Sequence, residues 1–242
     1  MISHDIQTAA RNLDLVVYDT FWGNCQVALV NHLLTTDVTQ FLTWPEVLNT
    51  MFVGEANTAR VEYDALQADD WPCWSDLIRE NGFGGAPVLS YDTHTSGNLV
   101  HQAYHLMRWQ NATGRRVSEL ENIVEIGAGY GALPMLMRRA GFRGRYVIID
   151  LPAFALLQRF YLAQANVDTE WIAPGDKISA DLVVGLWSLS EMTPTDQYNA
   201  LSGIDAGGYL VAACGELHIP QIDQAARYEA IEHMPPNGYW LA

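Results

Sequence analysis

The chain has 242 residues, of which 49% are apolar and 17% charged, a balance that predicts a compact globule with a sizeable core and excludes disorder. Twenty-eight acidic residues against thirteen basic ones give a formal charge of −15, and a protein that grips phosphates carries a basic face, so no nucleic-acid partner is expected. Three scattered cysteines, Cys25, Cys73 and Cys214, form no CxxC pair, which argues against a disulfide framework or a zinc site.

In chain order, Met1 to Asp5 lacks a basic and apolar leader. The apolar stretch Leu13 to Leu34 is interrupted by Asp14, Asp19, Asn24 and His32, so no membrane span is expected and the location is read as cytoplasmic. Residues 5–35 have the spacing of one or two helices, and 37–52 that of another around Trp44-Pro45. Residues 63–81 predict a helix or two, interrupted at Trp71-Pro72. The glycine-rich run 81–87 reads as a loop, and Ser96 as the N-cap of a helix that ends at Gly114. Residues 1–115 therefore form a helical region, expected to act as a lid that supplies part of an acceptor pocket or to make a homodimer. Trp22, Trp44, Trp71, Trp74 and Trp109 belong to this region, as core or as pocket lining.

From residue 116 onward the period changes. Short β-rich runs at 122–126, 145–149, 170–173, 182–187 and 209–213 alternate with helical ones at 152–166 and 195–202. This alternation predicts βαβ units and a parallel sheet. The remaining residues suffice for a helix over 221–233 and one strand near Tyr239-Trp240, so the sheet is expected to be short at its C-terminal end.

The first of these strands, Ile123-Val-Glu-Ile126, runs into Gly127-Ala-Gly-Tyr-Gly131 and then a helix. Closely spaced glycines at a strand-to-helix turn let a ligand approach the backbone. Glu125 sits in a strand buried on both faces, where a carboxylate needs a cationic partner. The amino and sulfonium groups of S-adenosylmethionine (SAM) are such partners. The spacing Gly127-x-Gly129-x-x-Ala132 also fits a dinucleotide fingerprint, with Asp150 as its ribose acid, but a carboxylate at position 125 would repel a pyrophosphate. Arg138, Arg139, Arg143 and Arg145 are read as a solvated helix end and turn.

The segments Asn98-Leu-Val-His-Gln-Ala-Tyr104, Val124-Glu-Ile-Gly-Ala-Gly-Tyr-Gly131, Tyr146-Val-Ile-Ile-Asp-Leu-Pro152 and Ser188-Leu-Ser-Glu-Met192 together resemble the sugar O-methyltransferase family of class I SAM-dependent methyltransferases. The likeness covers residues from about 81 to 215. Ala153 departs from the family's Glu after Asp-Leu-Pro. The resemblance implies an α/β, Rossmann-like methyltransferase domain over 116–242 and transfer of a methyl group to a hydroxyl of a small molecule, with a sugar or oxygen-rich metabolite as acceptor. N- or C-methylation in natural-product biosynthesis and a non-catalytic SAM-binding module are the alternatives. The expected cofactor contacts are Glu125, Gly127, Ala128, Gly129, Tyr130, Gly131, Asp150, Leu151 and Ser188, with Asp150 facing the ribose or capping the next helix. Asp176 and Lys177 are candidates near the adenine.

An alcohol acceptor needs a base, or a metal ion such as Mg²⁺ to lower its pKa. His101, Glu191 and His218 are the candidate catalytic groups, with Glu191 the best metal ligand, Glu216 beside His218 on the same rim, and Glu191 alternatively a helix-entry acid. His101 and His105 lie four residues apart on one helix, but the Glu of a zinc peptidase is missing between them, so one is expected to face the cleft and the other to pack.

Overall fold

The computed structural model describes residues 3–15, 20–215 and 217–242. Among the described residues, the regular elements of the N-terminal region are all helices. Helix α1 (Ser3–Arg11) is followed by α2 (Phe21–Thr35), whose N-cap Thr20 accepts a hydrogen bond from the Gly23 amide at 3.0 Å. The single helix expected over 37–52 is two pieces, a 3₁₀ turn at Val38–Thr43 and α3 (Pro45–Thr50). Pro45 pushes the preceding Trp44 into extended backbone (ψ 139°), which breaks the run. Helix α4 (Asn57–Ala68) starts earlier than its periodicity suggested, and α5 (Trp71–Leu77) carries Pro72 in its first turn. The chain thus breaks at Asp69-Asp70, because a proline starts a helix well where its missing N–H has no partner to lose. Helix α6 (Gly97–Thr113) is capped as expected. Ser96 Oγ accepts from the Leu99 amide at 3.2 Å, and Gly114 stops the helix with φ +71°.

The α/β part runs β1 (Asn122–Ile126), α7 (Ala132–Arg139), β2 (Arg145–Ile149), α8 (Pro152–Gln164), β3 (Glu170–Trp171), β4 (Ile178–Ala180), β5 (Leu182–Leu186), α9 (Pro194–Leu201), β6 (Ile204–Ala206), β7 (Tyr209–Ala213), α10 (Pro220–Ala225), β8 (Arg227–Ala230) and β9 (Gly238–Leu241). Seven strands form one sheet in the order β3-β2-β1-β5-β7-β9-β8, and β4 and β6 form a separate parallel pair. Among the described strands β9 alone points opposite to the other six of this sheet, so the sheet is mostly parallel and doubly wound.

The expected shortening of the sheet is corrected. The helix anticipated over 221–233 stops at Ala225, and the next residues become β8, which completes an antiparallel hairpin with β9. Cross-strand pairing overrides local helical spacing here. Tyr228 lies opposite Trp240 with their rings 5.2 Å apart, edge to face.

By contacts the chain forms two compact units: residues 1–102, 129–136 and 151–168, and residues 103–128, 137–150 and 169–242. In the first, α1 and α2 pack on α8, and Trp22, Phe83 and Phe41 meet Phe154, Phe160 and Tyr161 of that helix. The second holds the whole sheet. Val124, Ile126, Val147, Ile149, Val183 and Val211 share its core on one face, which by alternation turns Glu125 to the other. In this unit Arg138 donates to the Gly144 carbonyl at 2.8 Å, Arg143 to the Arg138 carbonyl at 2.7 Å, and Arg145 pairs with Glu170, so these three close a helix end, a turn and a sheet edge. Trp44, Trp74 and Trp109 are buried core residues, not pocket lining.

A chain beginning at Arg116 would strip α8 of the aromatic partners it has in the first unit. Exposing large apolar side chains at about 1.5–3 kcal/mol each rivals a typical stability of about 5–15 kcal/mol. This truncated chain is expected to be insoluble or to lack cooperative thermal unfolding, measured by circular dichroism; a soluble, cooperatively folded fragment would contradict the packing argument.

Candidate functional site

Strands β1 and β2 lie side by side in the second unit, with Glu125 opposite Ile148 and Ile126 opposite Ile149. Immediately beyond, the Gly127 amide donates to the Ile149 carbonyl at 3.0 Å and the Ala128 amide to Asp150 Oδ2 at 2.9 Å. Gly127 has φ +74°, and a Cβ placed there would lie 2.4 Å from the Ser188 Cβ. Ser188 Oγ in turn donates to the Ile126 carbonyl. Glycine at 127 is thus required twice over, by backbone conformation and by the close approach of Ser188. Ser188 opens the 3₁₀ turn Ser188–Glu191, reached through Trp187, which has φ +71°.

Glu125 is 3% exposed, and the Tyr146 hydroxyl donates to its Oε2 at 2.8 Å. Burial pushes its carboxyl up to about 8; the Tyr146 hydrogen bond pulls it down and the Asp150 charge adds to the rise. The carboxyl therefore favours its proton at neutral pH. Its neutral partner Tyr146 was missed in the sequence, although strand alternation places 146 and 148 on the same face as 125. Asp150 is not the cap of α8. That position is Leu151, 37% exposed, which makes no side-chain cap bond, while Pro152 starts the helix.

In the first unit, Gly129 (φ +57°) and Gly131 (φ +101°) continue the turn in left-handed backbone, and Gln158 Nε2 donates to the Gly129 carbonyl at 2.9 Å. Tyr130 lies between these two glycines. Its side chain is 1% exposed among Phe41 and Tyr161, and its hydroxyl accepts a hydrogen bond from Asn98 at 2.9 Å. Burial pushes that hydroxyl well above its ordinary range.

His101, in the same unit, has Nδ1 2.8 and 2.9 Å from the two carboxylate oxygens of Glu62. The side chains are 2% and 0% exposed. Glu62 was overlooked in the sequence, yet a signal existed: with Ala59, Tyr63 and Leu66 it lies on the buried stripe of α4, where a carboxylate demands a partner. His105, in the second unit, bonds through Nδ1 to the Tyr239 hydroxyl, with its ring 5.7 Å from that of Trp187. The two histidines have separate partners.

Glu191 is exposed at the end of its turn, and partial desolvation raises its carboxyl. It is not the entry acid of α9, since Thr193 caps that helix by accepting from the Asp196 amide. His218 is exposed in the loop before α10, and Glu216 lies outside the described residues. Asp176 accepts from the Ala173 amide at 3.0 Å and closes its own exposed turn, with Lys177 exposed beside it. Among the described residues no three or more His, Cys, Asp or Glu side chains gather to hold a metal ion.

No known protein family and no curated protein matches the chain. Among solved structures, it is similar to the PH0226 protein of Pyrococcus horikoshii OT3 (14% identity over 50% of this chain and 56% of that one, TM-score 0.40). It is also similar to magnesium protoporphyrin IX methyltransferase of Synechocystis PCC 6803 with bound SAM (13%, over 78% and 98%, TM-score 0.44). A third is the tRNA (uracil-54, C5)-methyltransferase of Pyrococcus abyssi in complex with S-adenosyl-L-homocysteine (20%, over 61% and 39%, TM-score 0.38). The first of these matches spans about half of its partner's length. Likeness at this level carries no functional argument, and the chain's own residues must supply one.

Gly127→Ala tests the turn. Left-handed backbone at a residue with a Cβ costs about 1–2 kcal/mol, and the contact with Ser188 adds to it. A lowered melting temperature in scanning fluorimetry is the expected result; an unchanged one would show that the turn is not fixed as described.

Proposed function

We propose that this chain is a SAM-dependent O-methyltransferase that methylates a hydroxyl of a small, oxygen-rich acceptor such as a sugar or glycosylated metabolite. The observation that carries this reading is the pair of carboxyls, Glu125 and Asp150, at the carboxyl ends of adjacent parallel strands beside a glycine turn. In an open α/β sheet, ligands bind at that edge. Asp150 suits ribose hydroxyls, and Glu125, whose ionised form a nearby positive charge favours, suits a cofactor with cationic groups. Glu125 is buried and short of a counter-charge, and Gly127 admits backbone where Ser188 leaves no room for a side chain. The residues therefore fit SAM, which supplies a transferable methyl group when bound.

Asp150 is held by the Ala128 amide, so its carboxylate is oriented before any ribose arrives. Gly127 and Ala128, with Gly129, Gly131, Leu151 and the backbone of Tyr130 following in the chain, and Ser188 supporting the turn, complete the proposed contacts. For the acceptor, His101 is the proposed base. In this role His101 takes the hydroxyl proton, and the Glu62 carboxylate beside its Nδ1 stabilises the imidazolium that forms. A hydroxyl needs such a base whereas an amine does not, which favours O-methylation. Glu191 and His218 are the remaining candidates, and no step here runs through a metal.

Calorimetry is expected to detect binding of SAM and S-adenosylhomocysteine and none of NADH; the reverse result would end this reading. Asp150→Ala should weaken SAM binding by about 1.5–3 kcal/mol, the value of a charged-acceptor hydrogen bond.

The pH dependence has a definite sign. The folded carboxyl of Glu125 sits at about 8, above its ordinary value of 4.5, so the folded chain keeps a proton that the unfolded chain loses. The contribution of this group to stability is full below 4.5 and is lost as pH rises through about 8. A cationic ligand prefers the ionised form. SAM affinity should therefore rise with pH up to about 8 and then level off, and Glu125→Gln should flatten the profile. An upward slope that persists in Glu125→Gln would assign the titration to another group.

For the base, His101→Ala is expected to lower turnover by at least about a hundredfold and Glu62→Gln by a smaller factor, both with SAM affinity within a few-fold. EDTA should have no effect. Wild-type turnover in His101→Ala, or loss of activity on chelation with rescue by Mg²⁺, would move the role to Glu191.

A further inference from the structure

The C-terminal hairpin contains a feature that the cofactor site does not use. Strands β8 and β9 and the loop between them line a cavity of about 340 Å³. Its lining includes Tyr228, Ile231, Glu232, Pro235, Pro236 and Asn237. Strand β9 runs against β7, with Gly238 opposite Ala213, so this loop stands at the carboxyl edge of the parallel strands. That is the edge where the second unit also carries Glu125 and Asp150.

Tyr228 is built into the hairpin as a fixed aromatic surface. A Cβ on Gly238 would lie 2.2 Å from the Tyr228 ring, so the ring occupies the space that the missing side chain leaves. Trp240 braces it from the side, with ring centroids 5.2 Å apart at 67°. Gly238 does not have the positive φ that calls for glycine elsewhere in this chain, so here the small residue serves to seat the ring. Tyr228 is nevertheless 54% exposed. A large ring held in place while half open to solvent presents a face rather than filling a core.

Glu232 supplies an exposed carboxylate, and the Asn237 side-chain oxygen is buried with no hydrogen-bond partner. No Lys, Arg or His belongs to the described lining. The nearby Arg227 and Glu229 alternate to the opposite face of β8, where Glu229 pairs with Arg108. An aromatic face, a carboxylate and an amide oxygen all attract a cation, and a chain with net charge −15 reinforces this.

We propose that this cavity is a subsite for an organic ammonium group and holds the amine-bearing end of the acceptor. The assignment of the occupant as acceptor rests on the methyltransferase reading; the binding of the ammonium group does not. Three strand spacings separate β5 from β8, about 14 Å at about 4.8 Å each. An acceptor that reaches from the end of β5, where the Ser188 turn follows, to Tyr228 must therefore be extended, with its amine remote from the hydroxyl that reacts.

Glucosamine and glucose make a matched pair of probes, differing in one ammonium group for one hydroxyl. Binding to the full chain is followed by NMR line-broadening of each probe at pH 7 and low salt, with S-adenosylhomocysteine titrated separately by calorimetry. Glucosamine is expected to bind at least about tenfold more tightly than glucose, and the difference should shrink at high salt. Tyr228→Ala and Glu232→Gln should each remove most of that preference without changing S-adenosylhomocysteine affinity. Equal binding of the two sugars, no binding of either, or an unchanged preference in both variants would overturn the subsite. Preference for glucosamine in a chain that binds no S-adenosylhomocysteine would keep the ammonium site and remove its role as acceptor site.

Discussion

The register between β1 and β2 is the constraint on which the site depends. It sets Glu125 opposite Ile148 and Ile126 opposite Ile149, and so brings the Gly127 amide to the Ile149 carbonyl and the Ala128 amide to Asp150. Because side chains alternate along a strand, a slip of one residue would turn Glu125 onto the face occupied by Val124, Ile126 and Val147. It would also separate the turn from the carboxylate that orients it. The carboxyl of Glu125 is costly to bury, and Tyr146 on the neighbouring strand meets that cost only in part, with a neutral donor. A buried carboxyl in this state is sensitive to any charge placed beside it.

A second buried carboxylate follows the same logic in the helical unit. Glu62 lies on the apolar stripe of α4 and His101 on α6, and the two buried polar groups meet there. The pairing fixes which imidazole nitrogen faces Glu62. Tyr130 illustrates the opposite outcome. Its place in a glycine turn looks functional, but its ring fills the aromatic core around Phe41 and Tyr161 and its hydroxyl is held by Asn98. At the far edge of the sheet, the Tyr228 ring over Gly238 uses a missing side chain to hold a ring in place.

The sequence by itself determined the elements whose signals are local. Strands at 122–126, 145–149 and 209–213 have the expected bounds, since β-branched and apolar runs closed by glycine or proline leave little choice. The Ser96 cap and the stop at Gly114 were equally legible, because both depend on the chemistry of a single residue. So were the glycine turn and the acid at 150. Tertiary structure alone decided the rest. Residues 227–230 have helical spacing but become a strand, because pairing with β9 provides cross-strand contacts that a short exposed helix could not match. Which groups face Glu125 and His101 was likewise beyond the sequence. Tyr146 is 21 residues from its partner and Glu62 is 39 from His101, and contacts at such separations are fixed by register and helix packing, which no local pattern encodes.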